Sequence, residues 1–216
     1  MGSQILAYDL GTGGVKASVY NEAGESIAES FIPYDTLYPR SGYHEQNPVD
    51  WWNAIVTSTK TLIQNYSLNS KDIICIAVSG HSLGVVPVGS DGKLLSENVP
   101  IWSDSRAVKQ AEKFFKTISK EEWYLTTGNG FPAPLYSIFK LMWFKDNLPQ
   151  VYEKTARFIG TKDYINYRLT GRLCTDYSYA SGSGVYDLKA WGYKNDYIEN
   201  AGILKDKLRR SYRLLR

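Results

Sequence analysis

Hydrophobic residues open the chain in two short runs that flank a glycine-rich turn. The first run, 4–8, ends at Asp9, and the second, 15–20, leads through a turn at 21–24 into the alternating segment 25–32. Alternation with a period of two predicts strands, and tight turns between strands predict antiparallel pairing. The opening is therefore predicted to form a three-stranded antiparallel meander.

A helical period follows this meander. Asn47 and Pro48 are typical of a helix start, as N-cap and first helical residue. Residues at helical spacing then continue to about Tyr66, namely Trp52, Ile55, Val56, Thr59, Leu62 and Ile63. A continuous apolar run at 73–79 predicts another strand, apolar on both faces as in the centre of a sheet. Cys75 in that run is interpreted as a buried thiol.

The second half of the chain alternates short helical and extended patterns. A turn at 89–92 between 85–88 and 93–95 predicts a hairpin. Further segments are predicted as strands at 100–102 and 157–159, helices at 104–115, 137–147, 149–155 and 163–169, and an ordered loop or hairpin at 175–186. A meander followed by alternating helices and strands indicates one α/β domain with a mixed sheet.

Composition and charge narrow the possible classes of protein. The chain has 216 residues, 43% hydrophobic and 22% charged, with neither a long apolar run nor a visible signal peptide. Its net charge is +3, but the segment 205–216 holds six basic residues against one acid, so the remainder is slightly acidic. That balance does not support a nucleic-acid-binding surface. Cys75 and Cys174 form no disulfide framework or metal-ligand spacing, and we expect a cytoplasmic protein.

The segment 9–16, Asp-Leu-Gly-Thr-Gly-Gly-Val-Lys, is the strongest candidate for chemistry. A carboxylate at a strand end can orient hydrated Mg²⁺, and a glycine-rich turn can offer amides and a Thr hydroxyl to a phosphate. A Walker A loop is excluded because Ala17 follows Lys16, and the dinucleotide fingerprint needs glycine at Lys16. An ordinary β-turn is the alternative.

Two further places could bind a sugar, which needs an aromatic wall and hydroxyl partners. Trp102, Asp104 and Arg106 lie at a predicted strand-to-helix junction. Their alternative is an Asp N-cap with a structural Asp–Arg pair. His81 and Ser82 follow the strand at 73–79, a usual ligand-facing position in open α/β sheets. His81 is either a sugar contact or a packing histidine.

Several segments, taken in order, resemble the FGGY carbohydrate kinases over roughly residues 4–204. The strand, Asp-x-Gly-Thr-x-Gly turn and hairpin resemble the first phosphate loop of the actin, hexokinase and Hsp70 superfamily. The other matching segments are 43–48 with 51–52, 101–106, 137–147, 162–164, 169–171, 175–176 and 180–181. Ordered matches at fixed spacing are more specific than any single motif.

This resemblance implies a ribonuclease-H-like (actin/hexokinase-type) α/β domain with a mixed sheet of about five strands flanked by helices. It places the domain at 1–204, a basic tail at 205–216 and an ATP-binding lobe beyond. It also implies transfer of the ATP γ-phosphate, with Mg²⁺, to a sugar hydroxyl. The general base is expected beyond residue 216, so no catalytic residue is assigned here and the isolated chain is predicted to be inactive.

The resemblance also implies the site residues. Asp9, Gly11, Thr12 and Gly13 would bind phosphate, with Asp9 also facing the metal. The sugar would be lined by His81, Ser82, Leu83, Trp102 and Asp104. The sequence His81-Ser82-Leu83-Gly84 lacks the Arg–Glu pair of glycerol kinases, so glycerol is disfavoured. Xylulose or a related ketose is preferred, ahead of another polyol or a sugar acid.

The expected partners are the sugar and ATP, with no nucleic acid or membrane, and self-association into a homodimer is a further expectation. One alternative is a non-catalytic sugar-binding or interaction module derived from the lobe. Another is an assembly or chaperone-like relative of actin or Hsp70, which the segments around Trp102 and Lys140 disfavour.

Overall fold

A computed structural model describes residues 2–208 and the backbone of residues 211–212. The chain opens with strands β1 (Gln4–Leu10), β2 (Gly14–Tyr20) and β3 (Ser26–Pro33). β2 pairs antiparallel with both β1 and β3, so the predicted meander is confirmed. Leu6, Tyr8 and Val15 are among the buried residues that begin the first hydrophobic core.

The first long helix covers one face of this meander. After the short β4 (Glu45–Gln46), helix α1 runs over Pro48–Asn65, and the Asn47 side chain accepts a hydrogen bond from Val49 N at 2.9 Å. This is the predicted cap, in which a side-chain oxygen satisfies an amide that has no partner within the helix. The helix buries a stripe of residues at helical spacing, namely Trp51, Ala54, Ile55, Ser58 and Leu62.

Strand β5 (Ile73–Gly80) pairs parallel with β1 and completes a four-stranded sheet of order β3-β2-β1-β5. The mixed sheet is confirmed, and within the described residues it has four strands where about five were predicted. β5 lies at the edge and not at the centre, with Ile74 69% exposed. Cys75 is also exposed, so its interpretation as a buried thiol is wrong. The apolar composition of a strand does not by itself show whether that strand lies at the centre or at the edge of a sheet.

The region after β5 departs from the predicted hairpin. Its turn forms, with Gly89 N donating to Lys93 O at 2.9 Å. The returning arm forms an isolated antiparallel bridge between Val88 and Leu94 and a hydrogen bond from Leu95 N to Pro87 O at 3.1 Å, without extending into a named strand. Instead β6 (Val86–Val88) pairs antiparallel with β8 (Arg157–Ile159), far along the chain. β7 (Val99–Pro100) likewise pairs with β4.

The remaining helices follow β7, and most of them surround a second, aromatic core, whereas Tyr164 and Ile165 belong to the first core. They are α2 (Val108–Phe114), α3 (Lys120–Thr127), α4 (Ser137–Asn147), α5 (Pro149–Lys154), α6 (Thr161–Thr170), α7 (Tyr177–Ser181) and α8 (Asn195–Ala201). Short strands β9 (Thr175–Asp176), β10 (Tyr186–Asp187), β11 (Gly192–Tyr193) and β12 (Ser211–Tyr212) accompany them. Phe114, Trp123 and Phe139 are central to this core. The predicted α4 and β8 are confirmed, whereas α3, α7 and α8 were not predicted.

The packed domain continues past residue 204, where the sequence predicted a basic tail. Lys207 is only 8% exposed, and its Nζ donates to the carbonyls of Tyr152 (3.0 Å), Glu153 (3.2 Å) and Thr155 (2.6 Å). These carbonyls lie at the end of α5, where cations stabilise a helix. The four arginines of the predicted tail, Arg209, Arg210, Arg213 and Arg216, lie outside the described residues.

Candidate functional site

The two parallel strands β1 and β5 end side by side, which places their following loops together. Leu10 is opposite Gly80 in the register, and His81 N donates to Leu10 O at 3.0 Å. Ligands of open α/β sheets bind outside the carboxyl ends of such strands. The glycine-rich turn after β1 and the loop 81–84 therefore border the same region of surface.

The glycine-rich turn is held by its carbonyl groups. Tyr34 Oη donates to Gly11 O at 2.6 Å, and Gln46 Nε2 donates to Thr12 O at 2.6 Å. Gly11 N closes the turn on Gly14 O at 3.0 Å, while the amides of Thr12 and Gly13 donate to no carbonyl of the turn. Amides left free by such a turn are suited to an anion.

Gly14 could not be another residue without displacing the backbone. A Cβ at this position would lie 2.5 Å from the Phe31 ring and 2.6 Å from Ile32 O. Glycine is used where a neighbouring strand approaches this closely. The last glycine of the motif therefore serves the sheet, and the earlier ones shape the exposed turn.

Gln46 connects the turn to the core, and sequence reasoning missed it. Its Oε1 accepts from Trp51 Nε1 at 2.9 Å, so one buried amide joins Thr12 to helix α1. Tyr34 was missed as well. Burial raises the pKa of Tyr34, and the Asp9 charge raises it further, so the phenol stays a donor. Gln46 lies in the matched segment 43–48, which was the available signal.

Trp102 meets the glycine-rich turn directly. Its Nε1 donates to Thr12 Oγ1 at 2.9 Å, and the side chain remains 40% exposed. Asp9, at the end of β1, is also exposed. The structure thus brings the predicted phosphate-facing hydroxyl and the predicted sugar-facing indole together, although 90 residues separate them.

Asp104 is placed differently from the sequence prediction, because it is 0% exposed. Its Oδ2 accepts from His44 N at 2.8 Å and from Arg106 Nη2 at 2.7 Å. Arg106 Nη2 also donates to Glu45 Oε1 at 2.6 Å. The Arg106 guanidinium lies over two rings, those of Tyr43 and Trp143. Asp104 therefore shapes the turn after Trp102 through a structural Asp–Arg pair and lines no open surface.

The contacts of the His81 imidazole also indicate a packing role. It lies edge-on to Trp51, with 5.9 Å between ring centroids, and Nδ1 is 3.3 Å from Thr161 Oγ1. Burial, together with the smaller effect of the Lys140 charge, lowers the pKa of His81 to about 4. The ring is accordingly neutral at pH 7. Of the two interpretations, this geometry favours the packing histidine.

Ser82 and Leu83 are adjacent in sequence but have different surroundings. Ser82 is exposed and lines a polar cleft of about 650 Å³ beside the outer edge of β5, together with Lys162 and Asp176. Leu83 has φ +63°, a left-handed conformation that branched aliphatic residues rarely adopt. Such strain persists only where the surroundings impose it, and it often marks a functional site.

Lys140 lies beneath the loop 81–84 and the segment 101–102, and its side chain is completely buried. Its Nζ donates to Leu135 O (2.7 Å), Ile101 O (2.8 Å) and Leu83 O (3.1 Å), and it approaches Trp102 O at 3.5 Å. Burial lowers its pKa to about 7, whereas the Asp104 carboxylate acts in the opposite direction. In the sequence, Lys140 was noted only as part of the matched segment 137–147. No local sequence pattern reveals that its ammonium group is buried.

The structure offers limited room for a metal. Within residues 2–208, no group of three or more His, Cys, Asp or Glu side chains is arranged to hold an ion. A single exposed carboxylate is nevertheless enough for Mg²⁺, which keeps most of its waters. Asp9 beside the Thr12 turn fits that requirement.

In residues 2–208, no helix has both the length and the apolar character needed to cross a membrane.

The family model for the N-terminal domain of the FGGY carbohydrate kinases matches residues 4–213. The chain belongs to this family. It is 31% identical to the xylulose kinase of Bacillus subtilis (strain 168), over 94% of this chain and 40% of that protein. It is 29% identical to the gluconokinase of Bacillus licheniformis, over 96% of this chain and 40% of that protein.

Solved structures agree with this FGGY assignment. Gluconate kinase from Lactobacillus acidophilus superposes with a TM-score of 0.89 at 27% identity, covering 98% of this chain and 42% of that one. Ligand-bound xylulose kinase from the same organism superposes with 0.88 at 28% identity, covering 97% and 42%. The predicted family and fold class are confirmed. This FGGY domain spans about 40% of the length of the curated relatives that it matches.

Proposed function

We propose that this FGGY domain is the sugar-binding lobe of an ATP-dependent carbohydrate kinase. The observation that carries the proposal is the hydrogen bond from the Trp102 indole to Thr12 Oγ1, beside the exposed Asp9. It joins an aromatic wall suited to the C–H face of a sugar with a turn suited to a phosphate. In phosphoryl transfer the enzyme mainly positions the reactants and neutralises charge.

The phosphate side of the site would be formed by the turn after β1. The Thr12 hydroxyl and the amides of Thr12 and Gly13 would contact the transferred or neighbouring phosphate, in a turn that Gly11 closes by donating to Gly14 O, and Asp9 would hold Mg²⁺ through its waters. The ion would neutralise phosphate charge. The general base and the lobe that holds most of ATP would lie beyond residue 216, with residues 1–204 as the principal unit of the sugar-binding lobe. The isolated chain would then bind sugar without turnover.

The preferred substrate is xylulose or a related ketose, with gluconate as the second choice. Trp102 would form the wall, and Ser82 and Leu83 would complete the loop beside it. Leu83 offers no hydrogen bond, so this part of the pocket would be apolar. His81 and Asp104 would support the wall from behind, because both side chains are engaged within the domain. A cytoplasmic location and a homodimer remain predictions.

Isothermal titration of the chain with D-xylulose, gluconate and glycerol, each with and without MgATP, tests the proposal. We expect saturable binding of one of the first two sugars, and loss of about tenfold or more in affinity for Trp102→Ala. Trp191→Ala is the matched control, because its indole is also exposed but lies in the turn between β10 and β11. Equal losses in both variants, or binding of no sugar at millimolar concentration, would contradict the proposal.

A further inference from the structure

Lys140 joins three segments that are distant in sequence. Its acceptors lie in the loop after β5 (Leu83), after β7 (Ile101 and Trp102) and in the turn before α4 (Leu135). A buried ammonium is costly unless its protons are all satisfied. All acceptors of the Lys140 ammonium are backbone carbonyls, so its hydrogen bonds fix the main chain of these segments and not a side chain.

One of these segments is held in a conformation that it would not adopt alone. Leu83 has φ +63°, and its carbonyl accepts from Lys140 Nζ. Its Cδ2 lies against Gly182, where a Cβ would come within 2.8 Å. The strained residue is thus held at its carbonyl by Lys140 and given space for its side chain by Gly182. Both contacts are needed to over-determine such a backbone angle.

The second segment carries the exposed indole. Lys140 Nζ binds Ile101 O at 2.8 Å, immediately before Trp102, whose own side chain reaches Thr12. Displacing the main chain at 101–102 would therefore displace the wall from the phosphate turn. The buried Asp104 carboxylate follows two residues later and compensates part of the ammonium charge.

We propose that Lys140 is a positioning residue that sets the sugar-facing wall, holding Leu83 and Trp102 in register by their backbone carbonyls without touching the sugar. This inference rests on the function proposed above. An ammonium suits the task because it is compact and has three donors, whereas the planar guanidinium of arginine would demand a different arrangement of acceptors.

Hydrogen exchange followed by mass spectrometry tests the positioning directly and needs no sugar. The variants are Lys140→Met and the control Lys207→Met, which also removes a buried ammonium from backbone carbonyls. We expect Lys140→Met to accelerate exchange in peptides covering 80–84 and 101–104 by more than its loss of global stability explains. Lys207→Met should leave those peptides unchanged. Equal exchange in both variants would overturn the proposal.

Sugar affinity supplies the second measurement. Lys140→Met should weaken sugar binding by about tenfold or more, as expected when a binding wall shifts by about an ångström, and Lys207→Met should not. Unchanged affinity in Lys140→Met would overturn the role in the sugar site. If the unmodified chain binds no sugar while the exchange difference holds, the proposed function fails and the positioning of the two loops stands.

A second variant covers the case in which Lys140→Met does not fold. Glycine accepts a positive φ without strain, so Leu83→Gly removes the need for a clamp at that residue. In a Lys140→Gln background, where the amide keeps two donors, adding Leu83→Gly should restore part of the protection of peptide 80–84. No restoration would mean that Lys140 does not hold Leu83, and it would overturn that half of the inference.

Discussion

Two buried lysines in this domain share a chemistry and differ in what they connect. Lys140 and Lys207 each donate from Nζ to backbone carbonyls at hydrogen-bond distance. The acceptors of Lys207 are all within residues 152–155, at the end of one helix. The acceptors of Lys140 come from three segments between residues 83 and 135. One lysine terminates a helix, and the other fixes the relative position of separate loops.

Their surroundings differ as well. Lys207 lies over the Tyr152 ring and keeps 8% exposure. Lys140 is completely enclosed, with the Asp104–Arg106 pair close by. A buried cation with local acceptors stabilises one element, whereas a buried cation with distant acceptors fixes separate segments relative to one another.

Asp104→Ala should have the largest effect on stability. It removes the anion next to Lys140 and leaves the enclosed Arg106 guanidinium with Glu45 alone. Breaking one partner of a buried ion pair costs about 3–5 kcal/mol of the free energy of unfolding. Urea denaturation measures it, and Asp91→Ala, which breaks an exposed pair with Lys93, should change little. A small effect at Asp104 would show that the pair is not essential to the fold.

Lys140→Met should lower the free energy of unfolding by about 3 kcal/mol, because enclosed carbonyls lose their donors and water cannot reach them. Lys207→Met should cost about 1–2 kcal/mol, since its acceptors lie in one short segment at the end of α5 and Lys207 is not completely enclosed. The same urea titrations compare the two. A larger cost at Lys207 would reverse the comparison and indicate that the tail region is the more critical one.

The pH dependence of stability should report on His81, which lies near Lys140. Its pKa falls from 6.5 to about 4 on folding, so the unfolded chain binds the proton more tightly in that window. The contribution of His81 to stability is complete above pH 6.5 and is lost as pH falls from 6.5 to 4, by at most about 1.4 kcal/mol per pH unit. His81→Gln cannot titrate and should show a shallower loss between pH 6.5 and 4. Parallel curves would contradict the assignment.

Leu83→Gly should have the smallest effect, within about 1 kcal/mol, because relief of the positive φ offsets lost packing and a more flexible unfolded chain. Leu83→Val is the matched test, since a β-branched residue is strained further at this angle and should cost more than about 1 kcal/mol. Thermal unfolding distinguishes them. The opposite order would mean that side-chain packing, and not the backbone angle, dominates at Leu83.

Local signals predicted much of the fold. The cap at Asn47, the helix 137–147 and the strand 157–159 were predicted because their patterns are complete within a few residues. The pairing of β6 with β8 was not predicted, because β8 lies about 70 residues away and no turn chemistry encodes that pairing. Helix α3 was missed although Ser119 caps it, since its apolar periodicity is weak.

The candidate site divides along the same line. Asp9, Thr12 and Trp102 were identified by residue type and order, and the structure brings Thr12 and Trp102 into contact. Asp104 and His81 were expected to face a sugar; in the structure Asp104 is completely buried against Arg106, and the half-buried His81 ring lies edge-on to Trp51. A side chain that can bind a hydroxyl can equally satisfy a buried group. Residue type therefore leaves the direction of the side chain open.

By itself, the sequence determined the family, the opening meander and the main helices, because periodicity, caps and ordered motifs are local properties of the chain. The packed structure shows that β5 lies at an edge, that Gln46 holds the glycine-rich turn and that Lys140 lies beneath the segment 101–102. The physical reason is that a buried hydrogen bond depends on which distant carbonyl arrives beside the donor. That is a property of the packed chain and of no segment within it.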